Sequence, residues 1–490
     1  MAIAVITRIA AGNAIAIDFI GKWSYYNTLF QQKWAYFVIK YFFKRKALND
    51  LLAWHNSSTR KPLVIRGARQ VGKTSLVRSF ATKIKCRFME LNLERPSHAS
   101  IFKSGMSVNE VVDRALLECR TPTGDDPLLL FIDEIQEVPE AVAMLRFFYE
   151  ERPDIHLIAA GSLLEVALSA AAISFPVGRV EFLYMRPMNF AEFLHAAGDS
   201  SLRDALHTIP APLYAHDLLL KRFNQYALIG GMPEAVTRYV STGGNLDAVN
   251  QVYADLFTAF RDDIPKYGRN ETMRRVLLHT LESAPYKAGS RITFQGFGGS
   301  NYRSREAGEA LRTLERAMLL ELVYPTTALD VPLMPNQRKA PRLHFLDVGL
   351  ANHQAGLQSN LVGIQDLSDV YRGRLIEQVI GQELKASVTR NNFQLCFWVR
   401  DKALAQAELD FVLTTELGVV PVEAKSGAAG KLRSLHQFVR LSNVPIAVRL
   451  YAGVPASHDV TFEGVSYRLI NIPYYASSLI PEYLKVLAGR

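Results

Sequence analysis

Cysteine is scarce in this chain: Cys86, Cys119 and Cys396 are the only three in 490 residues, with no CxxC pair and no His pair nearby. That excludes a disulfide framework and a cysteine-ligated zinc site, and it fits a reducing cytoplasm. Long apolar runs are lacking too. The stretch AIAVITRIAAGNAIAIDFIG near the N-terminus is interrupted by Arg8 and Asp18, and nothing approaches the roughly 20 uninterrupted apolar residues that span a bilayer, so no membrane partner is expected. Internal repeats and low-complexity tracts are missing. Outside the N-terminus a strong charge excess is missing as well: residues 1–50 hold seven Lys/Arg against two Asp, so they supply +5 of the formal +9 and leave +4 for the other 440 residues. Global basicity therefore says little about a nucleic-acid partner.

What remains is a globular composition, 49% hydrophobic and 21% charged, long enough for about three domains. The most informative stretch is PLVIRGARQVGKTSLVRSF, residues 62–80. Leu63-Val64-Ile65 reads as a buried strand, and a Gly-rich loop then opens a helix, the context a phosphate cradle requires. Gly67, Ala68, Arg69, Gln70, Val71, Gly72, Lys73, Thr74 and Ser75 form the expected nucleotide-binding loop. Its glycines let the backbone turn its N–H groups toward phosphates, and the helix N-terminus favours their charge. Lys73 is placed to reach the β- and γ-phosphates and Thr74 to put its hydroxyl on Mg²⁺.

LLLFIDEIQEV supplies the other half of such a site. Asp133 and Glu134 end an apolar strand, expected beside the first one. Asp133 suits Mg²⁺ through water or Thr74, and Glu134 suits polarising the water that attacks the γ-phosphate. The next strand, HLIAAGS, ends in Ser162, whose hydroxyl is a candidate γ-phosphate sensor or water-orienting group. Arg179, in FPVGRVEF, is a candidate for stabilising transferred charge, in cis or from a neighbouring subunit.

Strands near 88–91, 128–132 and 155–159 alternate with helices near 108–118 and 139–150, which argues for a parallel sheet covered on both faces. From about residue 198 the pattern turns helical, with a break at Gly230-Gly231-Met232-Pro233. Residues 300–324 read as a helix with Leu311, Leu314 and Met318 on one face and then a short strand, resembling the second half of a winged helix. A fresh α/β alternation starts near 366: a helix at 371–387, strands near 393–399, 408–413 and 419–424, a helix at 431–441 and a strand at 446–451.

Taken together, GARQVGKTS, FIDEIQEV, AAGSLLEVAL, GRVEFLYMRPMNFAEFL, YALIGGMPEAV and FRDDIPKYG resemble, in consistent order over roughly 40–455, the archaeal-type AAA ATPases that carry a C-terminal domain of unassigned function. The resemblance implies an α/β fold: a P-loop NTPase (ASCE) parallel sheet with helices on both faces, then a helical and winged-helix-like region, then a second α/β domain. The expected divisions are an N-terminal extension (1–45), the ATPase domain (46–197), a helical region (198–285), a winged-helix-like region (286–345) and the terminal domain (366–490). In such a family Lys73, Thr74, Asp133, Glu134, Ser162 and Arg179 fill the roles given above.

ELDFVLTTELGVVPVEAKSG carries a second constellation. Glu423 and Lys425, two apart on a strand, share a face, and a turn near 416–418 brings Asp410 to them. Two carboxylates can hold a divalent metal while a lysine positions the attacking water, an arrangement suited to phosphodiester cleavage. The trio resembles the PD-(D/E)xK nuclease superfamily, of restriction-endonuclease-like fold, although Leu409 stands where a Pro often precedes the Asp. That resemblance adds Glu377 as a helical carboxylate and Gln437 as support. It implies a second Mg²⁺ or Mn²⁺ on Asp410 and Glu423, with Glu377, Asp410, Glu423 and Lys425 catalytic. The leading expectation is a cytoplasmic, Mg²⁺-dependent AAA-type ATPase whose nucleotide state controls a nuclease-like domain acting on DNA or RNA. The alternative is a signalling or scaffold ATPase switch whose inactive nuclease-like domain recognises a partner. A protein partner is expected to meet the helical and winged-helix-like regions.

Overall fold

The computed structural model describes residues 44–122, 124–162, 164, 175–176, 178–358, 374–390, 393–401, 407–425 and 432–488. The expected N-terminal extension lies almost wholly outside the described residues, as do the expected starts of the helices at 371 and 431.

Five parallel strands make the first sheet: β1 (Leu63–Arg66), β2 (Arg87–Asn92), β3 (Leu128–Asp133), β4 (His156–Gly161) and β5 (Glu181–Tyr184), in the order β2-β3-β4-β1-β5. Every residue of β3 and β4 is buried, as continuous apolar runs require when helices cover both faces. Around them pack α1 (Ala47–His55), α2 (Lys73–Ala81), α3 (Val108–Glu118) and α4 (Pro139–Glu151). Val111, Val142, Leu145 and Phe148 from α3 and α4 meet Leu130, Ile132 and Ala159 in one core, and each such side chain contributes about 1.5–3 kcal/mol when fully buried. The onset of α3 is fixed locally: Ser107 Oγ accepts from the Glu110 N–H, and the Glu110 carboxylate accepts from the Ser107 N–H. One expectation fails. β3 is not beside β1, because β4 lies between them. Strand order depends on how crossovers wind, which apolar periodicity does not encode.

A helical region follows, with α5 (Phe190–Ala196), α6 (His216–Ile229), α7 (Pro233–Ser241), the 22-residue α8 (Leu246–Tyr267) and α9 (Glu271–Ser283). The break expected at Gly230-Gly231 is there, between α6 and α7. Next, α10 (Ser304–Arg316) packs on α9 and leads into a small antiparallel sheet of order β6-β9-β7, made from β6 (Ser290–Arg291), β7 (Leu320–Val323) and β9 (Arg342–Phe345). Val348–Gln354 forms α11.

The C-terminal region is largely β. Its seven-stranded mixed sheet runs β14-β15-β13-β12-β11-β10-β8, with β8 (Pro325–Thr326), β10 (Cys396–Val399), β11 (Glu408–Thr415), β12 (Gly418–Ala424), β13 (Ile446–Tyr451), β14 (Ala456–Phe462) and β15 (Val465–Pro473). Helices α12 (Arg374–Ala386) and α13 (Arg433–Ser442) flank it, and Leu435 and Phe438 of α13 pack on Trp398, Leu409 and Ala447. The sheet is wider than the sequence pattern suggests: β14 and β15 extend it on one edge, and β8 joins the other from well before residue 366.

Candidate functional site

The loop from Gly67 to Gly72 joins β1 to α2, and two of its positions admit only glycine. A Cβ on Gly67 would lie 2.4 Å from the Met185 carbonyl oxygen, and Gly72 has φ +97° at the mouth of α2. Lys73, 6% exposed, donates from Nζ to the Gly67 and Ala68 carbonyl oxygens at 3.0 and 2.9 Å. Burial lowers its pKa to about 8, with Glu134 and Asp133 pulling the other way. Thr74 Oγ1 donates to Asp133 Oδ2 at 2.7 Å. Burial raises the Asp133 pKa, against the Thr74 hydrogen bond. Glu134 sits at φ +52° and is gripped on one oxygen: Gln136 Nε2 donates to Oε2 at 2.7 Å, and the Ser162 N–H and hydroxyl approach it at 3.4 Å. The intervening β4 is what delivers Ser162 to this carboxylate.

Lys73, Thr74, Asp133, Glu134 and Ser162 are thus brought together, and Arg179 is not. Its guanidinium pairs with Glu150 at 3.0 Å at a surface position, 42% exposed. Two further contributors had no sequence signal beyond composition, and Arg69 of the expected loop makes a contact the sequence does not show. Arg45, in the basic run ahead of α1, is buried and donates to the Val71 carbonyl at 2.9 Å and to Glu192 at 3.0 Å, bracing the loop from below. Gln136 follows the acidic pair. Arg69, within the loop, places Nη1 2.8 and 2.7 Å from the two carboxylate oxygens of Asp263 of α8. The donor set suits a magnesium triphosphate: a hydroxyl and a carboxylate already in contact as hard oxygen ligands, and a buried ammonium held only by carbonyls.

The second constellation also converges. The β11–β12 hairpin pairs Phe411 with Val422, and Asp410 Oδ2 accepts from the Ala424 N–H at 2.8 Å. Lys425 Nζ lies 2.8 Å from Glu423 Oε1, and Glu377 of α12 is close enough to both carboxylates to interact with them. A residue the sequence did not single out sits among them. Arg342 of β9, 4% exposed, places Nη1 2.9 Å from Glu377 Oε2 and 3.0 Å from the Asp410 carbonyl, and Nη2 3.6 Å from Asp410 Oδ1 and against Glu408. Its guanidinium also lies 4.5 Å from the centre of the Phe397 ring. Burial opposes its charge, but Glu377, Asp410 and Glu408 outweigh burial and raise its pKa. Burial raises the pKa of Glu377, which Arg342 counters, and that of Glu423, which Lys425 counters. Among the described residues no group of three or more His, Cys, Asp or Glu is arranged to hold a metal ion, and no helix is long and apolar enough to cross a membrane.

Residues 59–194 match the family model of the AAA domain. Residues 220–361 match a domain of unknown function (DUF8612) and residues 372–475 another (DUF4143). No curated protein matches the sequence. Among solved structures, the Walker-type ATPase of Pyrococcus abyssi is similar at 14% identity over 64% of this chain and 96% of that chain, with a TM-score of 0.42. The RuvB Holliday junction branch migration motor of Thermotoga maritima is similar at 16% identity over 58% and 90%, with a TM-score of 0.26. The Orc1 protein of Aeropyrum pernix, solved in complex with DNA, is similar at 14% identity over 65% and 92%, with a TM-score of 0.24. Resemblances this loose fix nothing about the whole chain. The family match over 59–194, on a parallel sheet with the phosphate loop after its first strand, identifies an AAA-type P-loop domain that binds and hydrolyses ATP.

Proposed function

We propose that this chain is an ATP-driven switch: a Mg²⁺-dependent AAA-type ATPase whose C-terminal domain, related in shape to the PD-(D/E)xK nucleases, recognises a partner and does not cut. In the ATPase half, Thr74 and Asp133 would hold Mg²⁺, which screens the phosphate charge. Lys73 would leave the Gly67 and Ala68 carbonyls for the triphosphate oxygens. Glu134 would take the proton of the attacking water, and Ser162 and Gln136 would set its orientation. Arg179 is paired with Glu150 at the surface, away from Glu134 and Ser162, which favours a role toward the γ-phosphate of a neighbouring subunit over one within its own chain.

One observation carries the non-cutting reading: the Arg342 guanidinium lies among Glu377, Glu408 and Asp410, so that Asp410, one of the two expected metal ligands, already has a buried cation beside it. A buried arginine already compensates these carboxylates, and its removal would leave buried negative charge, so a metal competes with a covalently tethered cation. The nuclease reading keeps one observation of its own, since Glu423 Oε2 is buried without a hydrogen-bond partner. A nicking assay on DNA and on RNA with Mg²⁺ or Mn²⁺, with and without ATP, separates the two. We expect no cleavage by the wild-type protein. Mn²⁺-dependent nicking that disappears in Asp410→Ala and Lys425→Ala would restore the nuclease.

Switching needs a mechanical path, and the contacts supply one. Lys46 donates to the Ser387 carbonyl at the end of α12, the Tyr184 N–H of β5 donates to the Thr389 carbonyl at 2.7 Å, and Arg390 pairs with Glu181 at 3.1 Å. The edge of the ATPase sheet therefore touches the C-terminal region directly.

A further inference from the structure

Arg179 is paired with Glu150 at the surface, whereas Arg69 is an arginine that the phosphate loop itself carries. Arg69 lies in the phosphate loop four residues before Lys73, and its contacts there are with Asp263 and, at 3.9 Å, Glu94. It is a side chain of the loop expected to cradle the triphosphate. The side chain is one-third exposed, so it has room to move, whereas its partner Asp263 is 4% exposed. Asp263 sits near the C-terminal end of α8, where the helix dipole disfavours an anion, and its cationic contacts there are Arg69 and Lys266, the latter at 3.2 Å. Glu94 lies 3.9 Å from Arg69 on the other side.

We propose that Arg69 is a catalytic arginine acting in cis, latched onto Asp263 in the absence of nucleotide and transferred to the γ-phosphate when ATP binds. This rests on the ATPase reading above. In the step it assists, the water oxygen bonds to the γ-phosphorus and the bridging P–O bond breaks. The electron pair of that bond leaves with ADP, and the water proton passes to Glu134. Arg69 neutralises the charge spreading over the γ-oxygens. The transfer has a mechanical consequence: Asp263 loses a partner, so α8 feels whether a γ-phosphate is present.

Arg69→Ala tests this, read by steady-state turnover and by fluorescence of a mant-labelled ADP with and without aluminium fluoride. Because a lone Ala leaves Asp263 buried beside Lys266 alone, the double variant Arg69→Ala/Asp263→Asn is measured in parallel. In both, kcat is expected to fall about a thousandfold, the low end of what a transferred-charge arginine supplies. Binding of mant-ADP is expected to stay within about threefold, since the arginine acts on the γ-position, while aluminium fluoride no longer traps the nucleotide. Millimolar guanidinium should recover part of the lost turnover. Asp263→Asn alone should tighten ATP binding, because the competing carboxylate is gone. A kcat within a few-fold of wild type in the Arg69 variants, undiminished trapping, or a parallel loss of kcat and mant-ADP binding in the double variant would each overturn the proposal. If Lys73→Ala hydrolyses ATP as fast as wild type, the ATPase reading itself is what fails, and this proposal falls with it.

Discussion

Lys73 stands in this fold as a buried ammonium with two carbonyl oxygens as its hydrogen-bond acceptors. Its folded pKa of about 8 lies below the ordinary 10.5, so the folded chain binds this proton less readily than the unfolded chain. The resulting cost is fully present below pH 8 and fades as pH rises from 8 to 10.5. A span of that size is worth about 3 kcal/mol. Nucleotide-free wild type is therefore expected to gain stability relative to Lys73→Met across that window, followed by urea unfolding at stepped pH; a constant difference would show the ammonium is not strained. At this scale local patterns are legible in the sequence, and distant pairings are not. The motif spacing gave Lys73, Thr74, Asp133 and Glu134, because a phosphate loop and a carboxylate at a strand tip are local patterns. Arg342 and Asp263 were illegible for the opposite reason: Arg342 meets Asp410 from 68 residues away, and Asp263 meets Arg69 from 194. An arginine opening a strand carries no mark that it will neutralise a distant carboxylate cluster.

Elements were legible where one period dominated. β1, β3, β4, β11 and β12 fall where apolar runs or the Asp410–Glu423 hairpin placed them. Their neighbours were less so, as the insertion of β4 between β1 and β3 and of β8 beside β10 shows. Helix α12 illustrates a local preference overridden by packing. It carries Gly381 in its interior, where alanine would ordinarily favour the helix by about 1 kcal/mol. A Cβ there would come within 2.2 Å of the His344 ring, which stands on β9 two residues from Arg342. Burial lowers the pKa of that imidazole to about 4, so it is neutral and cannot escape toward a counter-ion. Gly381→Ala is accordingly expected to destabilise the protein by about 1–3 kcal/mol, the usual penalty for overpacking, and to shift Arg342 with β9. Thermal unfolding checks the first part. A more stable variant would mean that helix propensity wins and the His344 ring is free to move.

At the scale of the whole molecule, α12 is where three regions are joined. Gln378 exchanges hydrogen bonds with the Phe345 backbone at 2.9 and 2.8 Å, Gln382 donates to the Tyr226 hydroxyl at 3.0 Å and to Asp347 at 3.2 Å, and Glu383 accepts from the Phe190 N–H at 2.8 Å. Asp347 in turn accepts from the Gly231 N–H at 2.7 Å, and a Cβ on Gly230 would lie 2.2 Å from its carboxylate, so the close approach requires glycine at the break. Such a network is rigid when every member is satisfied and sensitive when one changes charge. Glu383 is wholly buried, its Oε2 has no hydrogen-bond partner among the described residues, and burial pushes its carboxyl up to about 7 against the Phe190 hydrogen bond; Asp347 is pushed up to about 6. A carboxylic acid whose folded pKa is raised binds its proton more readily in the folded chain, so stability is greatest in acid and falls as pH rises from about 4.5 to 7. Above that window the ionised Glu383 costs up to about 3 kcal/mol. Glutamine keeps the oxygen that the Phe190 N–H needs and never ionises. Glu383→Gln is therefore expected to match wild type near pH 4.5 and to exceed it in denaturant midpoint at pH 8. If the variant is instead the less stable protein at pH 8, the charge at this junction is one the network was built to hold, and the joint between ATPase and C-terminal region depends on it.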